Sequence, residues 1–387
     1  METLKNMLKN NVRQYGMLIA LVSIMLLFQV LTDGLLLKPL NITNLILQNS
    51  YILVLAIGML LVIVSGNIDL SVGSVAAFIG AVSATLMVTY DMPFMFAVII
   101  SLLIGALIGA WQGFWIAYVR IPAFIVTLGG MLIFRGLTMV TLKGMSLSPF
   151  PEAFQKISSG FIPDFFGGTS SHITTYVVGI IFSIVYIAFE VSNRKTQRKY
   201  NFEVMSQGLF IAKIAAIVGA INLFTYALAQ YKGIPNVLIL LFALVIIYTF
   251  VTNKTVAGRH IYALGGNEKA AKLSGIKTKR VTFWVYVNMG VLAALSGLVF
   301  AARLNAATPK AGVNFELDAI AASFIGGASS TGGIGTVLGA IIGGLVMGVM
   351  NNGMSLIGLG IDWQQAIKGL VLLLAVGFDI YTKSKDA

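Results

Sequence analysis

An all-α, polytopic bundle of about 10–12 transmembrane helices, one domain over residues 1–387, is the fold class this sequence predicts. Three observations predict it. Of the 387 residues 58% are hydrophobic and 10% charged, against about 25% charged in soluble domains, and the mean hydropathy is +0.91. The apolar residues fall in long runs rather than on one face of alternating elements. The bases sit in short segments between those runs, so the net charge of +12 orients the chain in a lipid bilayer and makes no case for nucleic acid. With no cysteine and two histidines, disulfide frameworks, thiol chemistry and Cys- or His-rich metal sites are excluded.

A helix needs about 20 apolar residues to cross about 30 Å of hydrocarbon, and that ruler places the first span at 17–37. Lys5, Lys9 and Arg13 ahead of it suit a secretory leader, yet no small-residue cleavage site closes the run, which reads as a retained span. Further spans follow at 50–65, 70–90, 94–118, 122–142, 173–191, 206–228, 234–252, 281–302, 333–356 and 363–381. The stretch 318–329 is short and ends in glycines, as a half-span or re-entrant arm does. If all twelve segments cross from an inner N-terminus, 17 of the 26 bases lie on the cytoplasmic face, Lys383 and Lys385 included, and six outside. Both termini are then cytoplasmic.

Two loops are long. The outer one, 143–172, carries Phe150, Phe154, Phe161, Phe165 and Phe166 among prolines and glycines, and reads either as a headgroup anchor or as a docking surface. The inner one, 253–280, carries seven basic residues. Within it Asn267 is a good helix N-cap, Glu268 suits a positive helix start and Gly275 is a natural stop, which predicts a free-standing helix of about two turns. Ala270 and Ser274, four apart, give that helix a small-residue side able to seat in a neighbouring protein.

Catalytic machinery is absent from the pattern: there is no paired-carboxylate, Ser–His–Asp or metal-ligand set. The dipeptide Gly-Lys never occurs, so no phosphate-binding loop of the Walker type is present and the chain is expected to be no enzyme. Polar groups at membrane depth are costly and therefore informative. Asp69, in the break Ser65-Gly66-Asn67-Ile68-Asp69-Leu70-Ser71, reads as a cap for the following helix or as a contact for cargo, with Asn67 and Ser71 beside it. Arg135 reads as an anchor or a path residue, and Gln112, Asn288 and Asn305 could line a route for a hydroxyl-rich solute or bond a neighbouring helix. Lys213 is near enough to a span end to snorkel and is given no role. Asp69 and Glu190 are the only acids noted near spans, both at span ends. A Gly-broken short span before a Gly-rich one occurs at both 50–90 and 318–356, which suggests an internal repeat.

The run Ala263-Leu264-Gly265-Gly266-Asn267-Glu268-Lys269-Ala270-Ala271-Lys272-Leu273-Ser274-Gly275-Ile276 resembles the coupling loop of permease subunits of bacterial ATP-binding cassette (ABC) importers for monosaccharides. Three further stretches resemble that family: 65–74, 121–129 with Arg135-Gly136-Leu137, and Ile325-Gly326-Gly327-Ala328-Ser329 continuing to Gly348 and Asn351-Asn352-Gly353. Relative to ribose-type permeases, 143–228 resembles the two-span insertion of xylose-type and multiple-sugar permeases. The resemblance implies an ABC importer permease fold in a bacterial inner membrane, as a homodimer with two copies of a cytoplasmic ABC ATPase. An extracytoplasmic binding protein would deliver xylose or a related sugar, and ATP and Mg would be held by the ATPase, with no cofactor on this chain. It further implies that Gly265, Gly266, Asn267, Ala270, Ala271, Ser274 and Gly275 couple to the ATPase, so that Ala271→Trp uncouples it. An ion-coupled secondary transporter of a small neutral solute is the alternative.

Overall fold

A computed structural model describes residues 12–168, 171–202 and 204–386. Lys5 and Lys9 lie outside the described residues. In chain order the helices are α1 (Val12–Leu31), α2 (Pro39–Val64), α3 (Val72–Ala84, extended by a π-helical turn Thr85–Thr89) and α4 (Phe94–Phe114, extended by Trp115–Val119). Then come α5 (Ala123–Leu142), α6 (Glu152–Ser159), α7 (Ile173–Lys199), α8 (Gln207–Ala229), α9 (Asn236–Lys254), α10 (Val256–Gly266) and α11 (Glu268–Leu273). The chain closes with α12 (Thr278–Leu304), α13 (Phe315–Ile325), α14 (Val337–Leu356) and α15 (Ile361–Asp386). Among the described residues nine helices are long and apolar enough to span a bilayer, beside a shorter apolar stretch Gly16–Leu31.

Several expected boundaries move. The first span stops at Leu31 rather than 37 because Asp33 and Gly34 take left-handed backbone conformations, φ 50° and 82°. Pro39 then opens α2, whose fixed φ suits a first helical turn, so the second span is 39–64 and not 50–65. The expected segment 318–329 is α13, 315–325, whose 11 residues reach about 16 Å and cannot cross hydrocarbon unaided. The suggested repeat loses its symmetry, since 50–64 is the second half of a full-length helix of 26 residues.

The chain forms two compact units. One comprises Leu45–Ser159 and Val237–Ala387 with the chain up to Leu36; the other comprises Leu37–Asn44 and Gly160–Asn236. In the larger unit glycines set the helix contacts. A Cβ on Gly290 of α12 would stand 2.2 Å from the carbonyl oxygen of Gly105 on α4, and one on Gly109 would stand 2.2 Å from that of Tyr286. Gly297 of α12 meets Ala76 of α3, and Gly343 of α14 meets Ala322 of α13, with equally little room. Small residues are what let backbones approach where lipid offers no hydrophobic drive. The outer-loop aromatics divide: Phe150 and Phe154 pack at 4.7 Å inside this unit's core, while Phe165 and Phe166 stay exposed.

The smaller unit is built on α7 and α8. Thr225 packs on Gly179, Asn222 Nδ2 donates to Ser183 Oγ at 2.8 Å, and Lys213 Nζ pairs with Glu190 Oε1 at 2.7 Å. Lys213 is thus an ion-pair partner, not a free snorkelling base. Asp164 organises the entry to α7: it accepts from Thr174 Oγ1 at 2.7 Å and from the amides of Thr174, Ile173 and Gly168 at 3.0 Å each. Those bonds, the Thr174 hydroxyl first, hold its carboxyl well below the usual carboxylate range.

Candidate transport path and coupling arm

Two breaks converge in the larger unit. In the first, Gly66 takes φ 82° to end α2, and Asp69, buried at 2% exposure, accepts from Ser71 N at 2.8 Å and from Ser71 Oγ at 2.6 Å. Gln112 Nε2 of α4 donates to Ser71 Oγ at 2.7 Å, so Asp69, Ser71 and Gln112 form one buried chain of hydrogen bonds. Gly130 of α5 lies over that amide, with room for a Cβ only 2.7 Å from Nε2.

In the second break Asn305, Gly312 and Asn314 all have left-handed φ, 54°, 73° and 65°, and the chain returns from the end of α12 to start α13. Gly312 meets Gly73 backbone to backbone: a Cβ on Gly312 would stand 2.0 Å from the Gly73 carbonyl oxygen. Two helix N-termini, those of α3 and α13, therefore begin side by side. Glu316 in the first turn of α13 is buried, and its Oε2 has no hydrogen-bond partner among the described residues. Arg135 of α5 acts on it electrostatically, and Arg135 Nη2 is likewise unpartnered. Asp318 is also buried and pairs with Lys368 of α15 at 3.0 Å. Tyr51 stacks on Phe315 at 4.0 Å, with Phe300 edge-on to both rings.

Of the expected path residues, Asp69, Ser71 and Gln112 come together, and Arg135 reaches the Glu316 field. Asn67 instead turns back to Ser65 O at 3.3 Å, Asn288 accepts from the Tyr248 hydroxyl, and Asn305 Oδ1 accepts from Phe150 N at 2.7 Å, fixing the loop above it. Glu316 and Asp318 correct the view that Asp69 and Glu190 were the only acids near spans. Their signal was legible: two carboxylates opening a short apolar run after Pro309 and Gly312 mark the positive end of a half-helix. No three His, Asp or Glu side chains converge to hold a metal among the described residues.

The second candidate region is the arm α10–α11. Thr255 caps α10 by accepting from Gly258 N at 3.2 Å, and Asn267 caps α11 by accepting from Ala270 N at 3.0 Å. Gly275, φ 85°, ends the arm. Gly266, Asn267, Ala270, Ser274 and Gly275 are exposed, whereas Ala271 is buried at 5% exposure, so a tryptophan there would first disturb this chain's own packing. Leu273, 89% exposed, is the apolar residue the arm presents outward. Gly265 is pressed on the end of α2 and on the loop between α13 and α14: a Cβ would stand 1.6 Å from Val64 O and 2.7 Å from Gly333 N. Gly333 N also donates to Val64 O at 2.8 Å, and the Tyr262 hydroxyl donates to Gly335 O at 2.6 Å. Burial pushes the Tyr262 phenol up, which keeps it a donor.

The sequence profile of a family described as "Branched-chain amino acid transport system / permease component" matches residues 41–376. The chain belongs to this family of ABC-importer permeases. The permease is 40% identical over 379 residues to the xylose transport system permease protein XylH of Haemophilus influenzae, covering 97% of this chain and 98% of that protein. It is 37% identical to XylH of Escherichia coli K12 over 97% of this chain and 94% of that protein. The ribose import permease protein RbsC of Bacillus subtilis is 36% identical over 89% of this chain and 85% of its own. No solved structure matches the permease. As a multi-pass membrane subunit of this class it works with a separate ATPase and a substrate-binding protein, and the ion-coupled alternative is not favoured.

Proposed function

We propose that this permease imports a monosaccharide, xylose or a close relative, as a homodimer with two copies of a cytoplasmic ATPase that hold ATP and Mg. An extracytoplasmic binding protein hands over the sugar, and both termini of the permease are cytoplasmic. The observation that carries the cargo is the 37–40% identity to xylose permeases over 97% of the chain, insertion included. Residues 143–228 are read as that insertion and 253–280 as the coupling loop.

In this reading the sugar passes the junction of the two breaks. Asp69 and Glu316 accept from sugar hydroxyls, Gln112 and Arg135 donate to them, and the Tyr51–Phe300–Phe315 cluster offers ring faces to the sugar's C–H side. Weak and mutually exchangeable contacts suit a path that must release what it binds. The stroke enters at Asn267–Gly275, where the exposed Leu273, Ala270 and Ser274 meet the ATPase. It then passes through Gly265 to Val64 and Gly333, so one displacement reaches the end of α2, beside the first break, and the loop that precedes α14.

The test is uptake of labelled xylose by cells that lack their own xylose transporters and carry this permease with its neighbouring ATPase and binding protein. Uptake that survives a proton uncoupler and stops on ATP depletion is expected. Uptake abolished by the uncoupler while ATP stays high overturns the ATPase coupling, and uptake of ribose without xylose overturns the cargo.

A further inference from the structure

The larger unit holds a cleft beside the coupling arm, apart from the junction of the two breaks. It has a volume of ≈ 580 Å³ and lies between α9, α10 and the first half of α12. Its lining is sorted along α12. Lys277 and Arg280 stand where the helix begins, and His260 of α10 faces the same cleft. Val281, Trp284 and Val285 follow at helical spacing, and the Tyr248–Asn288 hydrogen bond closes the far end. No acidic residue lines it, and neither Lys277 nor Arg280 has a carboxylate partner among the described residues. Trp284 and Ile247 are 59% and 53% exposed, so the cleft opens sideways on a face that is apolar below and basic above.

We infer that this cleft is a binding site for an anionic phospholipid. The headgroup phosphate takes Lys277 and Arg280, and one acyl chain lies along Val281, Val285 and Ile247. Three features select that occupant. Unpaired bases at the end of a membrane helix complement a phosphate and gain about fivefold in affinity each near a charged surface. A tryptophan one turn further in sits where indoles prefer the headgroup boundary. The apolar walls below it exclude a free anion as the whole ligand, because only a tethered hydrocarbon chain gains by filling them. Gly275, the stop of the coupling arm, also borders the cleft, so the bound headgroup lies directly beneath the handle that the ATPase moves.

The test uses the permease in vesicles without its partners, with Trp284 kept as its single tryptophan through Trp111→Phe, Trp115→Phe and Trp363→Phe, and is repeated in the assembled transporter with the signal of a tryptophan-free permease subtracted. Trp284 fluorescence is quenched with brominated phosphatidylglycerol or brominated phosphatidylcholine. Phosphatidylglycerol is expected to quench at a lower mole fraction, and its advantage should fall by about fivefold in Lys277→Gln and again in Arg280→Gln, while Lys277→Arg retains it. A second version keeping only Trp363, 68% exposed and outside the cleft, should show no preference. Equal quenching of Trp284 by the two lipids overturns the proposal. So does quenching by neither, which would mean that protein covers the cleft. Loss of the preference on adding inorganic phosphate would reduce the site to an anion site and overturn the lipid assignment.

Discussion

Helices α2 and α8 are almost equally apolar, with mean hydropathy of 2.2 and 1.9 over their best windows, yet 83% of the first window is buried and only 6% of the second. Hydropathy therefore reports that a helix belongs in a membrane, and says nothing of whether protein or lipid surrounds it. What differs is the use of small residues. Gly58 of α2 is met by Met289 at 2.7 Å, whereas Gly208 and Gly219 of α8 have nothing within 4 Å of a would-be Cβ. A glycine closed in by a neighbouring helix's atoms marks a packed face; a glycine against empty space is only composition.

The largest effect that could break this contrast is at the α4–α12 contact. Gly290→Val should abolish recovery of folded, monodisperse protein, since overpacking a tight interior costs roughly 1–3 kcal/mol and here the obstacle is backbone. Gly219→Val should leave yield and Tm unchanged. Equal behaviour of the two variants in size-exclusion and thermal unfolding would defeat the distinction.

Next in size is Gly265→Ala, whose added methyl meets the Val64 carbonyl at the very end of α2 and pushes the arm away from it. Sugar-stimulated ATP hydrolysis by the complex should fall about tenfold while Tm changes little. Unaltered stimulation would show that the stroke bypasses Val64 and Gly333.

Ser71→Ala is expected to act more gently. It strips Gln112 Nε2 and Asp69 Oδ1 of a shared partner, at about 1–3 kcal/mol, and should lower the initial rate of uptake without dissociating the ATPase. A fully active Ser71→Ala chain would remove these residues from the path.

The smallest effect belongs to the smaller unit, at the entry to α7. Because the carboxyl of Asp164 is held below its ordinary value of about 3.9, its contribution is complete above that value and drains away only as pH falls toward the lower folded one. Hydrogen exchange at the Ile173 and Thr174 amides should thus be constant in protection from about pH 5 to 8, and Asp164→Asn should raise it at neutral pH. Protection that declines between those limits would assign the order of this loop to something other than the carboxylate.

Long apolar runs made most spans readable, because hydrocarbon imposes a length that no local preference overrides. The capped arm was equally plain, since Asn267 and Gly275 act on their own backbone. Less legible was everything decided by distant partners. Lys213 and Glu190 are 23 residues apart and meet only when α7 and α8 pack, and Asn305 is committed to Phe150 by a loop 155 residues earlier. Ala271 is expected on the coupling face from the family resemblance, and only the packing of α11 on its own chain turns it inward. Glu316 and Asp318 stand in the first turn of a helix that begins three residues before the apolar stretch 318–329, and their burial is decided by the neighbouring helices.

The meeting of Gly73 with Gly312 carries one consequence more. The two backbones meet directly there, with the Glu316 carboxylate and the Phe315 Cβ of α13 beside Gly73 and the Ala77 methyl of α3 beside Gly312. A contact made mostly of backbone leaves few side chains to repack when α3 and the half-helix α13 move against each other, so resistance to opening concentrates in the turns at their ends.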